Sequence, residues 1–325
     1  MKKLSLALDE IASTENLLEA WEEFIKGKRD RPDVQEFSLQ LMSNIISLHR
    51  DILSHSYRHG PYRAFNICDP KPRSIHKASV RDRLLHHALY RKLYTFFDRT
   101  FIAYSYSCRT GKGTHKALDC FRSFACKESI NRTKTVWILK CDIKKFFANI
   151  DHGVILGILE NHVSDKEIIW LLREIIESFS STRLGVGLPL GNLTSQILVN
   201  IYMNEFDQFA KHKLKARYYI RYADDFVIFS RNKKQLENLI LEIRDFLREK
   251  LKLELHPDKV FIKTLASGVD FLGWVHFTDH RVLRTATKRR MMKRMKERQK
   301  SGTMQSYLGL LRHGNTFKIK KEIIQ

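Results

Sequence analysis

The chain has 325 residues, 43% of them hydrophobic, enough for a substantial core and for two or three subdomains. Its 58 Lys+Arg against 36 Asp+Glu give a net charge of +22, a footprint suited to a polyanionic partner. With no signal peptide, transmembrane run or repeat, and five cysteines that form no C-x-x-C pair, the sequence argues against a secreted disulfide scaffold, a zinc module or a membrane protein, and for a reducing cytoplasm.

Up to about Gly60 the pattern is helical, with apolar residues at helical spacing from Glu15 to Lys28 and from Gln35 to His55. Cys68-Asp69-Pro70-Lys71-Pro72-Arg73-Ser74-Ile75 follows as a basic loop, which by itself suits either a solvated turn or a phosphate contact. Val80-Arg81-Asp82-Arg83 opens a helix, its charges compatible with simple helix-start complementarity. Tyr106-Ser107-Cys108-Arg109-Thr110-Gly111-Lys112-Gly113-Thr114-His115 precedes another helix. Its glycines and bases suggest a phosphate cradle, but Walker spacing is missing, which sets aside a nucleotide hydrolase.

Val136 to Ile143 reads as a short buried strand ending in Asp142, followed by Lys144-Lys145-Phe146-Phe147. Taken alone, Asp142 is a cap, a turn former or a ligand. Leu188-Pro189-Leu190-Gly191 then opens a turn before Ser195-Gln196 and an amphipathic segment through Lys213. About 80 residues after Asp142, Tyr222-Ala223-Asp224-Asp225 forms a tight turn between two runs rich in aromatic and β-branched residues, the signature of a half-buried hairpin. An amphipathic helix begins near Gln235 and ends in Leu251-Lys252-Leu253-Glu254-Leu255-His256-Pro257-Asp258-Lys259, and Val269 to Trp274 reads as a second hairpin. Between Arg284 and Lys300 nine basic residues and one acid are interleaved with Met291, Met292 and Met295, a basic helix suited to a nucleic-acid backbone.

Adjacent carboxylates at a turn repel one another unless something positive lies between them, and hard divalent cations prefer carboxylate oxygens. A solvated Asp-Asp turn is the alternative for the pair alone. An acid at a strand end, a Gly-turn-helix and an acid pair on a hairpin, in that order, make up the palm of a nucleic-acid polymerase. From roughly Tyr62 to Trp274 the chain resembles the reverse transcriptases.

That resemblance implies an α+β right-hand polymerase: an N-terminal helical segment (1–60), fingers (61–135), a palm (136–278, with a helical insertion near 152–180) and a basic thumb (279–325). It also implies two-metal chemistry with Mg²⁺, for which Mn²⁺ can substitute, with Asp142 and Asp224 bridging the ions, Asp225 auxiliary and the Ile143 carbonyl a backbone ligand. Lys71 and Arg73 would grip the β- and γ-phosphates of a deoxynucleoside triphosphate. Phe147 would exclude a ribose 2′-hydroxyl, Leu190, Gly191 and Gln196 would border the nascent base pair, and Lys259 would protonate pyrophosphate. Tyr222, Gly273, Trp274, Lys288, Arg289 and Arg290 would contact primer or template, and Arg109 would make a template-backbone or a structural contact. Whether Phe146 or Phe147 is simply core is left open by the sequence pattern.

Leu190-Gly191-Asn192-Leu193-Thr194-Ser195-Gln196 carries Leu where most reverse transcriptases carry Gln, and resembles the enzymes of diversity-generating retroelements. The implied role is adenine-directed, error-prone copying of a template-repeat RNA. Implied partners are that structured RNA, the RNA-cDNA hybrid and a small basic accessory protein, typically a pentamer, with no membrane. The chain leaves no room for an RNase H, an endonuclease or a long DNA-binding tail. A retron or phage-defence polymerase is the alternative role, and a non-catalytic RNA-binding scaffold the remaining one.

Overall fold

The computed structural model describes residues 3–68, 72–297 and 301–324. It divides into two compact units: the first combines residues up to Ile102 with Lys144–Gln208 and Phe246–Glu254, and the second Ala103–Ile143, Phe209–Asp245 and the chain from Leu255 onward.

The first unit is mainly helical. Helices Thr14–Phe24, Leu41–Leu53 and Val80–Phe97 bury Leu17, Trp21, Phe24, Ile45, Leu48, Leu84, Leu85 and Leu89 at the i, i+3, i+4 spacing that puts them on one face of each helix. Two helices are shorter than their periodicity suggests. The first stops at Phe24, where Gly27 takes a left-handed φ of 68° and Lys28 Nζ donates to the orphaned Phe24 carbonyl at 2.6 Å. The stretch from Gln35 to His55 is broken at Gln40 into Pro32–Leu39 and Leu41–Leu53, and Asn44 Nδ2 supplies the Phe37 carbonyl with its partner at 3.0 Å. Asp82 is more than a helix-start charge: it is buried, and accepts from Tyr57 Oη, Ser79 Oγ and the Gly60 amide at 2.8, 2.6 and 3.2 Å. Strands β1 (Arg63–Ile67) and β2 (Arg73–Lys77) form the basic-loop hairpin in antiparallel register, Ile67 opposite Arg73.

The second unit holds a four-stranded antiparallel sheet of β3 (Trp137–Asp142), β4 (Tyr218–Tyr222), β5 (Asp225–Ser230) and β6 (Phe261–Thr264), in the order β4-β5-β3-β6. The central position of β5 explains its unbroken Phe226-Val227-Ile228-Phe229 run, buried on both faces. Helix Thr114–Glu128 packs Phe121 and Phe124 against Phe229, with ring centroids 4.8 and 6.2 Å apart. A three-stranded sheet, β7 (Val269–Phe271), β8 (Trp274–His276) and β9 (Arg281–Leu283), precedes helices Thr285–Glu297, Ser301–Leu311 and Phe317–Ile324. Met291 is buried and Met292 and Met295 pack against the same core, so the interleaved methionines anchor the basic helix.

Buried neutral histidines give this fold an acid-side weakness. Burial lowers His86 well below the ordinary imidazole value, His87 to about 4 and His276 to about 3. The unfolded chain takes up these protons near pH 6.5 and the folded chain does not, so stability falls as pH drops from 6.5 toward 4, by up to about 1.4 kcal/mol per pH unit for each histidine. Urea midpoints at pH 7 and pH 5 are expected to show the loss; equal midpoints would contradict it.

Candidate active site

The second unit brings the three aspartates together through strand register. On β3, Asp142 is the cross-strand partner of Asp225, the first residue of β5, while Ala223 and Asp224 close the β4–β5 hairpin. Like charges directly opposite one another are unfavourable, and two lysines offset them. Lys259, on the short helix Pro257–Lys259, donates to Asp142 Oδ1 at 2.8 Å, and Lys140, two residues before Asp142 on the same face of β3, lies 3.3 Å from Asp225 Oδ2. Burial pushes the Asp225 carboxyl up to about 7; Lys140 opposes that rise, and Asp142 and Asp224 add to it. The backbone tightens the arrangement further, since the His256 amide donates to the Asp142 carbonyl at 2.8 Å and Ile143 bridges Leu255.

The turn is held by a residue that sequence reasoning passed over. Arg221 on β4 is 0% exposed, and its guanidinium donates to the Ala223 carbonyl and to Ser105 Oγ, both at 3.0 Å. Its backbone pairs with Tyr104 and Tyr106, adding the Tyr104–Tyr106 segment to the sheet edge. Ala223 has a φ of 55°, which costs a non-glycine residue of order 1 kcal/mol and persists only where surroundings fix it. Tyr222 Oη accepts from Thr114 Oγ1 at 3.1 Å. A lysine or arginine inside a strand that is otherwise apolar was the available signal for both Lys140 and Arg221, because such charges are buried only when paired.

In the first unit the residues expected to border a nucleotide are tied together by backbone bonds. Phe146 is core and Phe147 only partly buried, which resolves the choice the sequence left open. The Leu188 amide donates to the Phe147 carbonyl at 2.8 Å, and the His76 amide of β2 donates to the Leu190 carbonyl at 3.1 Å. Asn192 Nδ2 donates to the His76 carbonyl at 2.9 Å, so the Leu190–Asn192 turn is fastened along the strand that carries Arg73. Gly191 is required twice over: its φ is 110°, and a Cβ there would meet Ile75 Cγ2 at 2.8 Å. Gly191 and Gln196 border a cavity of about 260 Å³ also lined by Lys28, Arg31, Lys77 and Arg83. Arg73 is exposed, and Lys71 lies outside the described residues.

One expectation is altered. The Trp274 indole is 1% exposed, packed against Gly314 and under the Arg281 guanidinium, so it is core rather than a free stacking face. Lys288 lies 3.2 Å from Glu322 in a half-exposed pair, and Arg109 Nη1 donates to the Ser105 carbonyl at 3.1 Å, a contact in line with the structural alternative for that residue. Gly273 does occupy a tight turn, with φ of 50° and 85° at Leu272 and Gly273, while Arg289 is exposed on the helix that also carries Arg290.

Among the described residues no three His, Cys, Asp or Glu side chains are gathered as a ready metal-ligand set. The donor chemistry still fits a hard divalent cation, because Asp142 and Asp225 present facing carboxylate oxygens and Asp225 Oδ1 is buried without a hydrogen-bond partner among the described residues. Lys259 and Lys140 supply positive charge at these carboxylates in this structure.

An antiparallel palm sheet with an acid at the end of one strand and an acid pair at the neighbouring hairpin defines the polymerase class. The sequence profile of the reverse transcriptase (RNA-dependent DNA polymerase) family matches residues 69–276, and the chain belongs to that family. Protein YkfC of Escherichia coli is 27% identical over 280 residues, covering 73% of this chain and 70% of its own length. Group II intron-encoded protein LtrA of Lactococcus lactis is 24% identical over 84% of the chain, and the putative COX1/OXI3 intron 2 protein of Saccharomyces cerevisiae 22% over 72%. The chain spans 55% of LtrA's length and 34% of the yeast protein's. Telomerase from Candida albicans, solved with a fragment of telomeric RNA, shares the fold with a TM-score of 0.52 at 13% identity, over 71% of this chain and 46% of that one. Among the described residues no helix is long and apolar enough to cross a membrane.

Proposed function

We propose that the chain is an RNA-directed DNA polymerase that copies a template-repeat RNA into cDNA with substitutions opposite adenines. Asp142, Asp224 and Asp225 would hold the divalent ions, which when bound activate the primer hydroxyl and neutralise the leaving oxygen. Lys259 Nζ, bonded to Asp142 Oδ1, would stabilise or protonate departing pyrophosphate. The Phe147 ring would crowd a ribose 2′-hydroxyl, and Arg73, with Lys71, would meet the triphosphate. The RNA and its hybrid would lie along the basic surfaces, with a pentameric basic accessory protein as partner.

Leu190 carries the error-prone part of this reading. Its carbonyl is fixed to β2 while its partly buried side chain offers no hydrogen bond, so wrong pairs lose part of the ~1–3 kcal/mol penalty that a polar base contact imposes. Leu190→Gln is expected to lower misincorporation opposite template adenines severalfold in sequenced cDNA. An unchanged substitution spectrum would remove Leu190 from the account. Accurate copying by the unsubstituted protein would favour a second role, as a retron or phage-defence polymerase, or as an intron-type one, the last supported by similarity to LtrA over 84% of the chain.

A further inference from the structure

The second unit contains a cavity of about 470 Å³ that shares no residue with the carboxylate site. It is lined by Arg122 of helix Thr114–Glu128, Arg132, the β8–β9 connection through Arg281, and the loop from Arg312 to Asn315. Arg122, Arg132 and Arg312 are exposed and make no ion pair among the described residues. Arg281 is held differently: it donates to Asp119 at 3.4 Å and to the His313 carbonyl, and its guanidinium lies over Trp274. The loop is pinned to the sheet, because the Asn315 amide donates to the Arg281 carbonyl at 2.8 Å and Gly314 leaves no room for a Cβ against Trp274.

Two buried polar atoms at this cavity lack partners among the described residues: Arg281 Nη1 and His276 Nε2. His276 is 3% exposed, and its ring packs 4.0 Å from that of Phe121. Buried polar groups are ordinarily hydrogen-bonded, so a ligand or ordered water that reaches both atoms is favoured at this cavity. Phe277 and His280 form a stacked pair, with centroids 4.9 Å apart and planes 12° apart. Asp279, bonded to His280 at 2.7 Å, is the only acid among the described residues that line this cavity, against four guanidiniums.

We propose that this cavity binds a nucleoside phosphate, as one nucleotide of an RNA strand or as a free nucleotide. Arg122, Arg132 and Arg312 take the phosphate, the Phe277–His280 pair takes the base face, and His276 Nε2 with Arg281 Nη1 take its polar edge. The volume is in the range of small-molecule sites. A nucleotide held here anchors the transcript away from the carboxylates, which goes beyond the polymerase reading and does not depend on it.

The test is photocrosslinking of a thiouridine-substituted single-stranded RNA to the full chain, with crosslinked peptides mapped by mass spectrometry. Crosslinks are expected on 276–281 or 312–315. They should fall at least about tenfold in the Arg122→Glu, Arg312→Glu double variant and severalfold in His276→Phe, whose surface charge is unchanged. Loss of the crosslink with millimolar adenosine monophosphate identifies the free nucleotide as a ligand, and persistence restricts the site to RNA. Absence of crosslinks on both peptides, or crosslinks indifferent to both variants, would overturn the proposal. The readout is binding, so a chain that makes no DNA still reports on the cavity.

Discussion

Asp142→Asn is expected to slow nucleotide addition by at least about 10³-fold, close to 4 kcal/mol of transition-state stabilisation. The substitution keeps the shape of the side chain and removes the charge that faces Asp225 across β3 and β5. Its effect on folding is expected to be small. The ion pair that it breaks, Lys259 to Asp142, involves a lysine side chain 40% exposed, and such pairs are worth about 1 kcal/mol or less. Extension rates with a melting curve as control separate the two effects. A rate within tenfold of the unsubstituted protein would mean that Asp142 holds no part of the reacting centre.

Arg221→Met produces the opposite pattern, a large loss of stability together with loss of activity. Methionine keeps most of the apolar stem but leaves Ser105 Oγ and the Ala223 carbonyl without the donors that now reach them at 3.0 Å. Each buried group stranded in this way costs about 1–3 kcal/mol, and the left-handed Ala223 loses what holds it, so a total of about 2–5 kcal/mol is expected. Arg221→Lys should recover little, because an ammonium lacks the planar fork that bridges both acceptors. Denaturant unfolding checks the first part and primer extension the second; destabilisation below about 1 kcal/mol would show that the turn holds itself.

The arrangement around these residues was unevenly legible in the sequence. Asp142 and Asp224-Asp225 could be read because strand, turn and acid recur locally, and the observed β3 and β4–β5 elements end at those residues. Their cross-strand register, and the lysines that offset their charge, depend on residues far apart in the chain: Lys259 reaches Asp142 across 117 positions. Arg221 was read as part of a β-rich flank, since nothing local announces a bond to Ser105, 116 residues upstream. Trp274 was misjudged for the same reason. A tryptophan after a hairpin glycine can face either way, and here Gly314 and Arg281 cover it. The helix break at Gln40 shows periodicity continuing through a point where one side chain, Asn44, redirects a carbonyl.

Primer extension on an RNA template, with Mg²⁺ and the four deoxynucleotides, tests the central claim most directly. The account predicts DNA complementary to the RNA from the unsubstituted protein and none from Asp224→Asn. No product from the folded protein on any of several RNA templates, or equal product from Asp224→Asn, would contradict it.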